Sequence, residues 1–257
     1  ASGVLQLDIT EKGVGVKDAY FSIKDPWLKT GSLKIGVFDR PFGNEISYSS
    51  SRRESPERSA VFQTLFPEER DLGAMVTIQP PQTSALRFLK LEAGLFAGNG
   101  IKQETDNKKD FMGHLSARKS WTHVQIGGGV SHYNGGGYQG TENVYEMEGN
   151  GFSPSSDPGN KGKFARREYT GFDAQVSLKS ILGETRLRGE YLFGKQPGGS
   201  SGSKSPNASV LPATDVFIRQ FSGGYVILVQ DLGKLPLAAV LKYDWYDPNT
   251  RVSKNDI

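Results

Sequence analysis

Cysteine is absent from the 257 residues. That excludes a disulfide framework and a thiolate metal site. Histidine is scarce, with three residues, His114, His123 and His132. Neither charge sign dominates: 31 Lys+Arg against 28 Asp+Glu leave a net +3. That balance offers no general attraction for nucleic acid, and any electrostatic function rests on local arrangement. No apolar run approaches the roughly 20 residues of a membrane-spanning helix. The opening ASGVLQLD has no basic segment followed by an apolar one, so no signal peptide is visible. Hydrophobic content is 36% and mean hydropathy −0.47, poor in the Ala and Leu of a soluble α/β enzyme. The lack of a spanning helix leaves one membrane architecture open, a β-barrel, whose hydropathy signal is much weaker.

What the chain does have is alternation. In SLKIGVF, Leu33, Ile35 and Val37 share one face, with Lys34 and Gly36 on the other. Leu72, Ala74, Val76 and Ile78 repeat the pattern, as do Leu89, Leu91, Ala93 and Leu95 against Lys90 and Glu92. It recurs in HVQIGGGVS, in GFDAQVSLK and in the stretch from Leu237 to Trp245. Period two means strands with one apolar and one polar face, and no window argues as well for a helix. The pattern yields about eleven strands. Their links alternate between short (DPWLKTG, PPQTS, SWT, ILGE, DLGKLP) and long (41–71, 99–110, 133–168, 195–214).

An antiparallel meander with every second link long describes an up-and-down β-barrel with one tight end and one elaborated end, as in outer-membrane barrels. A soluble sandwich or lipocalin-like barrel alternates too, but its strands average about 5–6 residues and its apolar side faces inward. Here several strands run longer. Aromatic residues gather near strand ends: Tyr20, Phe21, Trp27, Phe38, Phe42, Trp121, Tyr133, Tyr191, Phe193, Trp245 and Tyr246. That placement predicts interfacial girdles. Single-chain bacterial barrels have even strand counts, so an odd count predicts further strands outside this sequence.

The run LKIGVFDRPFGNEISYSSSRRESPERS resembles the signature of the phosphate-selective porin O and P family, in its Bacteroidota-type versions. The matching positions are Gly36, Phe38, Pro41, Phe42 and Gly43, then Glu57, Arg58 and Ser59, then Arg70 with Gly73. The specific motif covers about residues 14–75; elsewhere the similarity is one of strand and loop rhythm. The resemblance implies a trimeric, sixteen-stranded porin of the bacterial outer membrane, in contact with lipid and lipopolysaccharide. It implies that residues 44–70 fold inward as a constriction loop, and that Arg52, Arg53 and Arg58 project into water there and favour anions, as charged rings do in pores.

Four acids of the same loop, Glu54, Glu57, Glu68 and Glu69, offset those arginines. The lumen-facing cations Lys34, Arg40, Lys90, Arg118, Arg186, Arg188 and Lys242 stand against Asp18, Glu92, Asp173, Glu190 and Asp244. The expected protein is therefore a general or weakly anion-preferring porin, with no cofactor, metal, catalysis or nucleic-acid partner. A solvated loop with weak internal Arg–Glu pairs is the plainer reading of the arginines. A barrel subunit with a plugged lumen and a docking role is the functional alternative.

Other motifs carry less. GGGYQG, Gly135 to Gly140, fits a dinucleotide fingerprint only if a helix follows, and none is indicated. His114 and His123 flank a tight turn but lack a third ligand. Glu148, Asp157 and Asn160 form no calcium-loop pattern. Ser131 and His132 are adjacent, so in a strand they face opposite ways. Asn207-Ala-Ser is a glycosylation acceptor by pattern only.

Overall fold

The structure, a computed structural model, describes residues 1–11, 13–27, 29–67, 69–102, 106–202, 214–233 and 235–253. In chain order the elements are β1 (Ser2–Thr10), β2 (Gly13–Lys24), β3 (Gly31–Asp39), α1 (Ala60–Leu65), β4 (Arg70–Ile78), β5 (Leu89–Phe96) and β6 (Asp110–Ser120). They continue with β7 (Val124–Tyr138), β8 (Asn143–Glu148), β9 (Gly151–Ser156), β10 (Phe164–Ser180), β11 (Gly183–Gly198), β12 (Val216–Asp231) and β13 (Ala238–Asp247). The fold is all-β, a single 13-stranded sheet that is antiparallel but for one pairing.

Eleven of these strands form the expected up-and-down meander, β1 to β7 followed by β10 to β13. Short links 25–30, 79–88, 121–123, 181–182 and 232–237 share one end of the sheet. Links 40–69, 97–109, 139–163 and 199–215 share the other. The first link at that second end, between β1 and β2, is only two residues long and departs from the rhythm. Strands β8 and β9 are the two that alternation does not reveal. They make a hairpin inside link 139–163, which crosses to β12 and pairs Val144–Glu146 in parallel with Val216–Ile218. Among the described residues β1 and β13 do not pair with each other, so the sheet is not closed.

The sheet is strongly curved. Arg40, just past β3, pairs with Asp71 of β4 at 3.3 Å. From Arg40, contacts of 5.7, 5.6 and 5.1 Å lead through Phe66 and Tyr169 to Phe221 of β12. On a flat sheet the six spacings from β4 to β12 would span about 29 Å. Only a concave face brings them this close.

Register sorts the side chains between the two faces. Leu187, Leu228 and Leu241 form one cross-strand row on the convex face. They share exposure there with Leu33, Ile35, Leu72, Val76, Leu91, Leu95, Leu115, Val130 and Phe172. The core lies on the other side. Phe38, Met75, Phe96, Met112, Tyr133, Tyr169, Leu192, Phe221 and Tyr225 of the strands pack against Phe42, Ile46, Val61, Phe62, Leu65 and Phe66 of link 40–69. This corrects part of the girdle expectation. Phe21, Trp27, Trp121, Tyr191 and Phe193 are exposed, but Phe38, Phe42 and Tyr133 are buried in the core, with Tyr20 and Tyr246 packed against it.

Candidate functional site

Link 40–69 leaves β3 through Arg-Pro-Phe-Gly and turns onto the concave face. Gly43 has φ +62°, the left-handed region where a Cβ is strained. A Cβ there would also run into the Glu190 carboxylate. The turn aims three successive amides at the far wall. Gly43 N donates to Ser131 Oγ of β7 at 2.8 Å. Asn44 N and Glu45 N donate to the Glu190 carboxylate of β11 at 3.0 and 2.6 Å. Tyr225 of β12 donates its hydroxyl to the same carboxylate at 2.7 Å. Phe42 rests on Gly171 of β10, where a Cβ would lie 2.9 Å from the ring.

The return half is fastened to the outgoing half. Ser59 N donates to both Glu45 oxygens, at 3.1 and 3.2 Å, and its hydroxyl donates to Oε2. The short helix α1 then buries Val61, Phe62 and Leu65. Its last carbonyl, on Leu65, accepts from Arg167 Nη2 at 3.1 Å. Arg167 of β10 is buried; its Nε donates to Tyr169 Oη at 2.7 Å and its guanidinium lies 4.8 Å from the Tyr133 ring. Burying a guanidinium requires that its donors find acceptors; here Nη1 also donates to the Gly98 carbonyl of link 97–109 at 3.3 Å, so the group joins two links to one strand.

Of the three expected constriction arginines, only Arg52 stands exposed, at the end of a 3-10 turn over Ser50–Arg52. Arg53 is half-buried. Arg58 overturns the expectation of a cation projecting into water. It is 8% exposed, pairs with Glu69 and donates to the carbonyls of Ile46 and Tyr48 at 3.4 and 3.5 Å. It staples the link. Arg58→Ala will therefore cost about 1–3 kcal/mol of stability by leaving those acceptors unmet, read as a lower urea midpoint. An unchanged midpoint would return Arg58 to the solvent.

The wall cations are largely neutralised as well. Arg40 is buried against Asp71, which sets it apart from a water-facing residue. Arg188 pairs with Glu54 of the link and lies 4.4 Å from the Tyr48 ring. Arg186 meets Asp231 at 2.8 Å and Glu54 at 3.9 Å. Lys242 meets Asp244 at 3.4 Å and Glu45 at 3.8 Å, and donates to the Glu57 carbonyl at 3.1 Å. Lys90 pairs with Glu92 at 2.8 Å. Asp18 holds Arg70 at 3.3 Å. Lys34 lies over the rings of Tyr20 and Phe38, at 4.7 and 5.0 Å. Arg118 donates to the Gln175 side chain at 2.9 Å. Glu68 and Asn207 lie outside the described residues.

Between the link and the short-turn end lies a polar chamber of about 940 Å³. Gly43, Asn44 and Ser47 form its roof; Lys90, Glu92, His114, Arg118, Asp173 and Gln175 line its wall. His114 bonds Asp173 at 2.9 Å and does not join His123, which sits in the turn beyond. Ser131 binds the link while adjacent His132 follows the other face of β7. Gly135 to Tyr138 continue β7, and the next element is β8, not a helix. Asp157 accepts from Gly159 N at 2.7 Å within a turn, and Asn160 donates to the carbonyls of Glu142 and Ser155.

No family model matches this chain, and no curated protein matches it either.

Proposed function

We propose that the chain forms the wall of a transmembrane β-barrel in the outer membrane of a Gram-negative bacterium, and that small hydrophilic solutes or ions diffuse passively through its water-filled lumen. Link 40–69 narrows that lumen. The resemblance to phosphate-selective porins supports this reading, and one observation carries it: every meander strand exposes apolar residues on the convex face, while the folded-in link and the charged wall residues it packs among occupy the concave side. Soluble monomers rarely expose apolar patches beyond a few hundred Å². Lipid is the solvent in which such a face is stable. Because most wall cations have acid partners, the expected bias toward anions is weak.

Two measurements test it. Leu228 sits mid-row between Leu187 and Leu241 on the convex face. Leu228→Arg will cost about 2–4 kcal/mol if that face meets the bilayer centre. Urea titration in lipid vesicles reads this, and a neutral substitution would place the face in water. The protein refolded in detergent and inserted into a planar bilayer under a potassium chloride gradient will give a stable conductance with a small reversal potential toward chloride. The aromatic packing of Phe42, Phe62 and Phe66 against Tyr133, Tyr169 and Phe221 supports one other reading, a plugged barrel that docks in a larger assembly. A folded, heat-modifiable barrel without conductance would favour that one.

A further inference from the structure

We infer that the polar chamber below link 40–69 is a subsite for a polyhydroxylated carboxylate, the chemical class of a sugar acid. The inference rests on the pore reading for its biological meaning, but its physical basis is the lining itself. The chamber measures about 940 Å³, the upper end of the range for small-molecule sites. Apart from Lys119, whose ammonium lies 5.1 Å from the Trp121 ring, its charged groups fall into two kinds. Lys90 with Glu92, and His114 with Asp173, are satisfied within the wall at 2.8 and 2.9 Å. Arg87 and Arg118 are different: among the described residues neither has a carboxylate within ion-pair distance.

Both arginines line the chamber, Arg118 from β6 and Arg87 from the turn that precedes β5. Arg118 N donates to the Phe88 carbonyl at 2.8 Å, which sets Arg118 beside the Arg87–Phe88 step. Among the described residues the Arg87 guanidinium donates only to the Gln82 carbonyl, at 3.2 Å, and the Arg118 guanidinium to the Gln175 side-chain oxygen, at 2.9 Å. Each keeps donors facing the chamber, and a planar guanidinium fork matches a carboxylate two bonds at a time.

The rest of the lining is matched to hydroxyl groups. Amides Gln79, Gln82 and Gln175 and hydroxyls Ser84, Ser116 and Ser120 all border the same space. Amides and hydroxyls both donate and accept, as a sugar's hydroxyls do. A simple inorganic anion would use the guanidinium pair and leave this bed idle. A neutral sugar would use the bed and leave two cations unpaired. A sugar acid engages both.

The test is binding to the full chain folded in detergent, by titration calorimetry with glucuronate, glucose, acetate and inorganic phosphate as probes. The expected result is glucuronate binding at least about tenfold tighter than any of the other three, about 1.4 kcal/mol. Arg87→Gln with Arg118→Gln will abolish that preference over glucose, and Gln175→Ala will narrow the preference over acetate. Both variants change chamber-facing side chains outside the core, and retained heat-modifiable mobility confirms that they fold. Equal binding of phosphate or acetate overturns the hydroxyl half of the inference; equal binding of glucose overturns the guanidinium half. Conductance is measured separately on the same preparation. Its absence overturns the pore reading alone, because calorimetry reads the chamber whether or not ions pass.

Discussion

Phe66→Ala will lower the stability of the folded chain by about 3–5 kcal/mol, the range for removing a large buried aromatic side chain. Phe66 is 2% exposed and sits where the return half of link 40–69 meets the concave wall. Its ring lies 5.1 Å from Phe42, 5.9 Å from Phe62, 5.6 Å from Tyr169 and 6.1 Å from Tyr133. Arg40 adds a cation at 5.7 Å. Truncation would leave a void bounded by four rings that the curved sheet cannot close up on. The check is a urea titration followed by gel mobility with and without heating. Phe172→Ala is the matched control, since Phe172 is 48% exposed on the convex face. It should cost far less in a detergent micelle. Equal losses for the two would mean that the link is not packed against the sheet.

Glu190→Ala should release the outgoing half of the same link. It strips the acceptor from Asn44 N, Glu45 N and the Tyr225 hydroxyl together. Each buried donor left unmet costs about 1–3 kcal/mol, so the loss from three of them reaches about 3–9 kcal/mol. The readout is local: tryptic cleavage after Arg52 or Arg53 should accelerate at least about a hundredfold, because cleavage follows the population of the opened segment. Glu190→Gln keeps an oxygen for Glu45 N and Tyr225 and loses only the partner of Asn44, so it should fall between. In a planar bilayer the alanine variant should also show larger and noisier current steps. Cleavage at the wild-type rate would show that the link is held elsewhere.

Much of this fold was legible in residue order. Eleven strands announce themselves by alternation, because one face of each meets a different medium from the other. The hairpin β8–β9 does not, since NVYEME and GFSPSS mix polar and apolar residues on both sides and the hairpin is recruited by three pairings of β8 with β12. The misplaced aromatics are more instructive. Phe38 and Tyr133 look like girdle residues by their position near strand ends. Yet parity had already assigned them: Phe38 is out of phase with Leu33, Ile35 and Val37, and Tyr133 with Val124, Ile126 and Val130. Following the period one step further would have put both on the inner side. The arginines failed for a different cause. A sequence shows that link 40–69 holds acids and bases in near balance, but not that Arg58 finds Glu69 while Arg188, from far along the chain, finds Glu54. Ser131 carried no signal at all, because a serine that accepts one amide looks like any other.

The parallel pairing between β8 and β12 has a consequence for how the molecule assembles. Val144 and Val216 are separated by about seventy residues, so the loop that their contact closes is long and the contact is late to reward its entropy. Until β12 arrives, the hairpin has only its own antiparallel bonds and is marginal by itself. The seventeen residues of β10 and the sixteen of β11 must therefore be in place before this end of the sheet can be finished. The stacking of Tyr145 on Phe217 at 4.3 Å then becomes a marker of a late step in folding.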